Sequence, residues 1–393
     1  MLKCWTLLWL LALYVQISIG VETAKGIFKC NPDKKLQACL PDEYSKFDFP
    51  SNNEITISIE ISEVVNINEK DFSITFACYL NVQWEENRLR LSSEFGKEQA
   101  GPGINVTMNP NIYVPMNLEL IKDIWLPNIF IYNLKTYKEI TVLDKLAGLW
   151  ISADKNILYS QATHITFICP MRFDNFPMDT QVCKFQVGSY SYNDNVMRFR
   201  TEKTGYLSPT GNSLELDYDI KIGELKPEDT FYSAASLGNF SLAGFEMVLH
   251  RHVSGYIITF YLPSGLFVIV SWISFLIPFD VIPGRMTLLV TLFLVLVNIF
   301  NAITTNSPKA EGLTAIEVWM LVCILFVFGA LVEYAFILFQ KQRSTTKALS
   351  TKDLKQLKDE YWRIDKFFLI FFPVLFSIFN IIYWMSFTLI LNS

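Results

Sequence analysis

The sequence is poor in the residues that most enzymes and metal proteins need. It has three histidines and no HExxH, CxxC, GxGxxG or phosphate-binding-loop motif. So few histidines leave little for a metal centre, and we expect neither a metal nor a cofactor. The net charge of −5 is mild, and no basic patch with interleaved aromatic residues occurs. Nucleic acid is therefore not expected as a partner.

The first twenty residues, MLKCWTLLWLLALYVQISIG, combine a lysine, an apolar run and small residues near the end. This pattern predicts a secretory signal peptide over residues 1–20, with an N-terminal membrane anchor as the alternative. The glycosylation sequons at Asn105 and Asn239 are compatible with export. We therefore expect the following domain to be extracellular.

Six cysteines remain after the signal segment. Cysteines of an exported domain are oxidised, and two pairs are close in the sequence. The expected disulfides are Cys30–Cys39 and Cys169–Cys183. Cys78 lies in a strand pattern and Cys323 in an apolar run, so both are expected to be free, buried thiols.

Residues 54–255 consist largely of segments in which apolar and polar positions alternate. EITISIEISEV (54–64) places four isoleucines on one face and Thr, Ser and Glu on the other. Similar segments recur, separated by turn-rich pieces such as GKEQAGPG (96–103) and SPTGNS (208–213). Many short alternating strands predict an all-β sandwich of the immunoglobulin-like type.

Four long apolar segments follow, at about residues 256–278, 283–304, 313–339 and 367–391. Each is near the roughly 20 residues that cross a bilayer core. The linker before the last segment is rich in lysine and arginine, so the positive-inside rule makes it cytoplasmic. The predicted organisation is a signal (1–20), an extracellular sandwich (21–253), three helices (254–339), a cytoplasmic linker (340–366), and a fourth helix with an extracellular C-terminus (367–393).

The second apolar segment carries a regular stripe of mostly polar residues. Its members are three or four residues apart and occupy one helix face: Thr287, Thr291, Leu294, Asn298, Asn301 and Thr305. Polar groups in hydrocarbon are costly unless they meet water or partners. The stripe predicts a water-filled path with one hydrophobic constriction, which can gate by dewetting. Hydrogen bonding between helices is the alternative. Because one helix cannot enclose a pore, the pore interpretation implies a ring of subunits.

Several segments resemble the Cys-loop pentameric ligand-gated ion channels. CPMRFDNFPMDTQVC (169–183) is similar to the family's signature loop, with thirteen residues between two cysteines and Phe-Pro-Met-Asp at its centre. Other similar segments occur in the family's order: WLPNIFIYN (125–133), YLPSGLFVIVSWISFLIPFDVIPGR (261–285), EGLTAIEVWMLVCILFVFGALVEYA (311–335) and FFPVLFSIFNIIYW (371–384). The resemblance runs from about residue 45 to the end and is nearest to the chloride channels gated by glycine, GABA or glutamate. It implies a pentamer of identical or homologous subunits, each with an extracellular sandwich and a four-helix transmembrane bundle.

The resemblance also implies where a small-molecule agonist binds, in an aromatic box between neighbouring sandwiches. It assigns ligand-binding positions to Tyr79, Phe130, Ser189, Tyr190, Tyr192 and Phe240. Such a box holds ammonium groups by cation–π attraction, worth about 0.5–2 kcal/mol per contact. Ordinary strand packing is the alternative for each tyrosine. The chain departs from amine-binding relatives at Gly188, Ala235 and Leu242, so the agonist stays open.

Pro283, Gly284 and Arg285 resemble the Pro-Ala-Arg stretch of anion channels. We expect Arg285 to present a ring of positive charge at the cytoplasmic mouth, which favours anions, with chloride as the permeating ion. The outer end has Thr304 and Thr305 and no basic residue. Cation-selective or non-selective conduction is therefore the alternative.

A junction between the sandwich and the helices must pass the effect of ligand binding to the pore. The resemblance assigns gating residues to this junction: Phe176, Pro177, Met178, Asp179, Arg251 and Lys309. An element poised there can bias two states of the pore. A stable hairpin tie is the alternative for the Cys-loop, which we define as residues 169–183.

The expected protein is thus a ligand-gated channel subunit in contact with lipid in the plasma membrane, including postsynaptic membranes. A non-conducting receptor or accessory subunit of the same fold is the main alternative. A membrane-anchored enzyme is a weaker one, because the chain has no recognisable catalytic motif.

Overall fold

A computed structural model describes residues 27–31, 36–93, 95, 113–207, 217–278, 281–308, 312–345 and 351–391 of the 393-residue chain. The signal segment, Asn105 and Lys309 lie outside the described residues, so the expectations for them stay predictions.

The N-terminal part of the described chain is built from strands. They are β1 (Ala38–Cys39), β2 (Glu54–Asn68), β3 (Ser73–Glu85), β4 (Arg90–Leu91), β5 (Tyr113–Met116), β6 (Phe130–Ile131), β7 (Leu134–Glu139), β8 (Ala147–Ser152), β9 (Asn156–Ile168), β10 (Thr180–Gly188), β11 (Arg198–Tyr206), β12 (Tyr218–Glu224), β13 (Phe231–Ala234) and β14 (Gly238–Arg251). The predicted strand at 54–64 is the first part of β2, in which Ile55, Ile57, Ile59 and Ile61 are all buried.

These strands form two main sheets. The larger has the order β11-β2-β3-β9-β8-β5, with β7 also paired to β9, and β11 runs parallel to β2. The smaller has the order β12-β14-β10-β6, with β13 paired to β14. A short ribbon of β1 and β4 lies beside them.

Four phenylalanines show how the two sheets pack. Phe76 and Phe167 belong to the larger sheet, and Phe185 and Phe245 to the smaller. All four are fully buried, and their ring centroids lie 5.2–5.8 Å apart across the pairs in contact. Edge-to-face aromatic contacts stabilise such cores beyond their area burial. The predicted all-β sandwich is therefore confirmed.

The two predicted disulfides are also present. Cys30 is bonded to Cys39 and Cys169 to Cys183, whereas Cys78 and Cys323 are buried free thiols.

Four helices long and apolar enough to cross a membrane follow the sandwich. They are α1 (Ser254–Leu276), α2 (Ile282–Asn306), α3 (Ala315–Thr345) and α4 (Thr351–Leu391). Pro283 stands in the first turn of α2, where a missing N–H costs little. Thr314 and Glu317 form a capping box at the start of α3, with Thr314 N donating to Glu317 Oε2 at 2.8 Å.

The helices extend further than the hydropathy pattern indicates. Within the predicted linker at 340–366, α3 continues to Thr345 and α4 begins at Thr351. The apolar runs mark only the parts that can lie in lipid, and helices of this kind continue into water when the following residues favour helix.

Polar contacts tie α4 to α1 and α3. Tyr383 shares a hydrogen bond of 2.8 Å with Tyr261 of α1 and donates to the Ala315 carbonyl at the start of α3. Trp319 of α3 donates to Ser264 of α1 at 2.9 Å. These three hydrogen bonds connect α1, α3 and α4 within one subunit, so the helices form one bundle.

Candidate functional site

An aromatic group lies on one edge of the smaller sheet. The ring centroids of Phe130 and Tyr190 are 5.4 Å apart, and those of Phe130 and Tyr132 are 5.1 Å apart. Tyr132 in turn lies 5.8 Å from Tyr232, which is 6.5 Å from Phe240. We call these five residues the aromatic group. Tyr190 and Tyr232 are its most exposed members, so their ring faces are available to a ligand.

Asn128 and Ser189 hold the loop that presents Tyr190. The Asn128 Oδ1 accepts hydrogen bonds from Ser189 Oγ and from the backbone N–H groups of Tyr190 and Ser191. Ser189 Oγ also accepts from the N–H of Tyr192 at 3.0 Å. Short polar side chains that bond nearby backbone groups fix turns in this way. Ser189 is itself buried and supports the loop through these bonds, and its predicted contact with a ligand stays a prediction.

The other predicted ligand-binding residues differ in their surroundings. Phe240 belongs to the aromatic group but is buried under Tyr232. The ring of Tyr192 packs edge-on against that of Phe49 at 5.1 Å. The expectation that Tyr192 contributes to ligand binding stays a prediction. Phe49 precedes Tyr192 by more than 140 residues, and no local pattern could reveal the contact.

Sequence reasoning missed two members of the aromatic group, Tyr132 and Tyr232. A signal existed for both. Tyr132 follows Phe130 by two residues, and Tyr232 is the cross-strand partner of Phe240 in the β13–β14 hairpin. Burial raises the pKa of Tyr132, and the nearby Tyr232 adds to the shift, so the phenol stays neutral.

Tyr79 lies elsewhere, on the outer face of the larger sheet. It alternates with Asn81 and Gln83 along β3, so the three side chains share that face. Asn81 and Gln83 line a polar cleft of about 520 Å³, together with acidic residues that include Glu202 and Asp154. The cleft belongs to a different face of the subunit from the aromatic group.

Gly188 lies against the aromatic group. A Cβ at this position would be 2.8 Å from both the Ser241 carbonyl oxygen and Leu242 Cδ2, and 3.2 Å from the Tyr132 ring. Glycine is thus required by close approach of the neighbouring strand.

Replacing Gly188 with alanine is expected to destabilise the sandwich. The backbone oxygen of Ser241 cannot move aside without distorting β14, and overpacking of this kind costs about 1–3 kcal/mol. Thermal unfolding of the purified protein, followed by fluorescence-detected gel filtration, measures the loss. Gly223→Ala on β12 is the matched control, because an added Cβ there meets nothing within 4 Å. Equal stability of the two variants would contradict this description of the packing.

A buried charge cluster joins the sandwich to the helices. Arg251, the last residue of β14, donates to Asp179 Oδ1 at 2.7 Å and Oδ2 at 3.2 Å, and to Glu69 Oε1 at 2.7 Å. Its guanidinium lies between the rings of Phe176 and Tyr218, at 4.6 Å and 4.5 Å from their centroids. We call these five residues the Arg251 cluster. It connects the β2–β3 loop, the Cys-loop, β12 and the end of β14.

The two acidic partners favour the charged form of Arg251. Burial alone would lower the pKa of Arg251, but its hydrogen bond to Asp179 and the charges of Asp179 and Glu69 raise it above its ordinary value. Burial also raises the pKa of Tyr218, whose hydroxyl donates to Glu69 at 2.6 Å. Arg251 therefore stays charged and Tyr218 stays protonated at any physiological pH.

The tip of the Cys-loop touches the first and third helices. Phe176 packs edge-on against Tyr256 of α1 at 5.2 Å, and its carbonyl oxygen accepts a 3.1 Å hydrogen bond from Ile316 N of α3. Phe176, Pro177, Met178 and Asp179 are all buried. Except for Lys309, which is outside the described residues, the residues predicted at the junction are thus brought together.

The six residues of the predicted stripe on α2 are all exposed in the isolated subunit. The opposite side of the helix packs into the subunit through Leu289, Leu292, Leu296 and Ile303, which are buried. Leu294 is the one aliphatic member of the stripe and is 55% exposed. The subunit therefore leaves a largely polar helix face without cover, as the periodicity predicts.

Arg285 corrects a sequence expectation. It was expected to be exposed at the cytoplasmic mouth beside Pro283 and Gly284, which are exposed. Instead it is 0% exposed, and its Nη2 donates to Glu333 of α3 at 2.8 Å and Asp365 of α4 at 2.9 Å. The one-residue step from Gly284 turns the helix by about 100°, which brings residue 285 to the packed side.

A sandwich joined through a buried charge cluster to four membrane-length helices is typical of a multi-pass membrane receptor. Two family profiles match the chain. "Neurotransmitter-gated ion-channel ligand binding domain" covers residues 33–241, and "Neurotransmitter-gated ion-channel transmembrane region" covers residues 260–361. The chain belongs to the neurotransmitter-gated ion-channel family.

One curated relative is the human gamma-aminobutyric acid receptor subunit rho-2. It is 26% identical to the chain over 290 residues, which are 72% of this chain and 57% of the relative. The chain therefore matches little more than half the length of that protein. The family is that of receptors and channels and not of enzymes.

Proposed function

We propose that the chain is a subunit of a pentameric channel in the plasma membrane, with the sandwich outside the cell. Five identical or homologous subunits surround a pore lined by α2, and a small-molecule agonist between neighbouring sandwiches opens it. The observation that carries this proposal is the stripe of α2. Its six members are exposed in one subunit, although polar groups within a membrane-length helix need water or partners. A ring of subunits around water supplies both.

Leu294 supports a gate within this pore. It lies near the middle of α2, with Thr291 and Asn298 one turn away on either side. Five such leucines would form the one hydrophobic ring of an otherwise polar lining, and a narrow apolar ring excludes water and ions. The closed state is then a dewetted constriction rather than a plug.

The agonist that the site fits best is a small molecule with an ammonium group. The exposed faces of Tyr190 and Tyr232 are suited to cation–π contacts, which contribute about 0.5–2 kcal/mol each.

Tyr79 and the cleft beside it supply the facing surface of the next subunit. The carboxylates of Glu202 and Asp154 line that cleft and give it a negative potential. Burial, with a further contribution from these two charges, raises the pKa of Tyr113 there. A negative facing surface favours a cation over an amino acid with a free carboxylate.

Selectivity for anions, with chloride as the main ion, is the second part of the proposal. The stripe carries hydroxyl and amide groups and no carboxylate. In addition, α2 begins at the cytoplasmic end, so the positive end of its dipole lies at that mouth.

The Arg251 cluster is proposed to couple the two domains. It holds the Cys-loop, and the Cys-loop contacts both α1 and α3. A movement of β12 or β14 after ligand binding would reach the helices through these contacts. Two packed arrangements of such a junction would bias the pore between closed and open.

The experiment is voltage clamp of oocytes that express the chain alone, with panels of amines and amino acids applied. We expect an amine to evoke a current whose reversal potential moves by about 59 mV per tenfold change in chloride. A reversal potential insensitive to chloride would contradict anion selectivity. If pentamers reach the cell surface but never conduct, the alternative of a non-conducting accessory subunit would be favoured.

A further inference from the structure

The end of the bundle farthest from the sandwich holds a second buried charge cluster. It consists of Arg285 of α2, Glu333 of α3 and Asp365 of α4, and we call it the Arg285 cluster. The side chains are 0%, 3% and 2% exposed. The Arg285 guanidinium also lies 4.4 Å from the Tyr334 ring centroid and 5.6 Å from that of Phe275 in α1. All four helices therefore meet at one cation.

The burial of Arg285 does not depend on assembly. It is complete within a single subunit, and further subunits can only remove more surface from water. Its Nη2 also donates to a carboxyl oxygen of Glu333 at 2.8 Å and to one of Asp365 at 2.9 Å. A ring of these residues around the pore would therefore present no positive potential to a passing ion, because each guanidinium is screened by its own partners.

What remains exposed at this end of α2 is the helix start itself. Pro283 and Gly284 are on the surface, and the N-terminal turn carries the positive end of the helix dipole. The position of that turn depends on Arg285, which is one residue away and fixed to two other helices. A buried ion pair acts as a specific link because a removed partner leaves an uncompensated charge.

We infer that Glu333 and Asp365 are positioning residues for the pore, acting through Arg285 on the start of α2. This inference rests on the proposed pore function of α2. The charge of Arg285 is not itself a selectivity element. Instead, α3 and α4 fix the position of the first turn of α2 at the cytoplasmic mouth of the pore. In this way α4, the outermost helix of the bundle, influences how the pore lined by α2 opens.

The test uses channels that carry Leu294→Ser, which we expect to conduct without agonist. Arg285→Gln and Arg285→Lys are predicted to keep the chloride-to-sodium permeability ratio within twofold. Asp365→Asn and Glu333→Gln are predicted to shift the open-to-closed ratio of single channels about tenfold. In the double variant Arg285→Gln/Asp365→Asn, the shifts should be less than additive, because both changes break one link. Arg363→Gln, which removes an exposed cation from the same helix, is the control and should change neither quantity.

Two results would overturn the inference. A tenfold loss of chloride preference in Arg285→Gln would mean that its charge faces the pore. An unchanged open-to-closed ratio in Asp365→Asn and Glu333→Gln would mean that the cluster stabilises the bundle without influencing the pore.

Thermal unfolding of purified variants, which does not require a current, separates this inference from the proposed function. If Leu294→Ser channels reach the surface and pass no current, the pore proposal fails. Thermal midpoints of the purified Arg285→Gln, Asp365→Asn and double variants then test the cluster directly. Less-than-additive losses support the link, and additive losses overturn it.

Discussion

Replacing Leu294 with serine is expected to produce a chloride current that flows without any agonist. The change puts five hydroxyl groups where five leucines form the hydrophobic ring, so water fills the constriction and ions follow. The leucine side chain is exposed and packs against little within the subunit, so folding should not suffer. Surface delivery should be normal, and the resting conductance should rise at least tenfold. Oocyte voltage clamp with surface biotinylation measures both quantities.

The matched control is Leu325→Ser on α3. Leu325 is 54% exposed, nearly the same as Leu294, but it lies on a different helix. We expect no agonist-independent current from this variant. Equal leak from both variants would show that any polar group in the bundle permeabilises the membrane, and would remove the support for a gate at Leu294.

Loss of Arg251 is expected to abolish the agonist response. Arg251→Gln leaves Asp179 and Glu69 close together in a buried junction without their shared cation. Removing one member of such a cluster costs about 3–5 kcal/mol, a large share of the stability of a domain. The Cys-loop would lose its fixed contact with the end of β14, so binding at the sandwich would no longer move the helices. Evoked current per surface channel should fall at least a hundredfold.

Two variants separate coupling from folding in this experiment. Arg172→Gln removes an exposed arginine from the same Cys-loop and should respond normally. Arg251→Gln combined with Leu294→Ser should still leak, because the pore of that variant opens without the junction. Loss of the leak together with the response would mean that Arg251→Gln prevents assembly rather than coupling.

Several parts of this architecture could be read from the sequence because their signals are local. The alternating isoleucines of β2 identify a half-buried strand, and the disulfide pairs are close in the chain. The stripe of α2 follows from helical periodicity alone, since every third or fourth residue returns to the same face. The polar face that periodicity predicts is the face that one subunit leaves exposed.

Features that depend on contacts between distant segments could not be read in this way. Arg285 is adjacent to the exposed Gly284, and its partners follow it by 48 and 80 residues. Its burial is decided by carboxylates on other helices, and the resemblance to a family motif gave no indication of them. Tyr192 is a similar case, because its contact with Phe49 links two parts of the sandwich. Tyr232 differs, since its pairing with Phe240 across a hairpin was within reach of the sequence.

The most direct test of the pore assignment is the reaction of single cysteines along α2 with a charged thiol reagent. The background is Leu294→Ser, in which the two free thiols among the described residues, Cys78 and Cys323, are buried. The account predicts irreversible block of the current at the five other positions of the stripe, which are Thr287, Thr291, Asn298, Asn301 and Thr305. No block is predicted at Leu289, Leu292 or Leu296 on the packed side. Block at the packed positions, or reaction without a three-to-four-residue period, would contradict a pore lined by this face of α2.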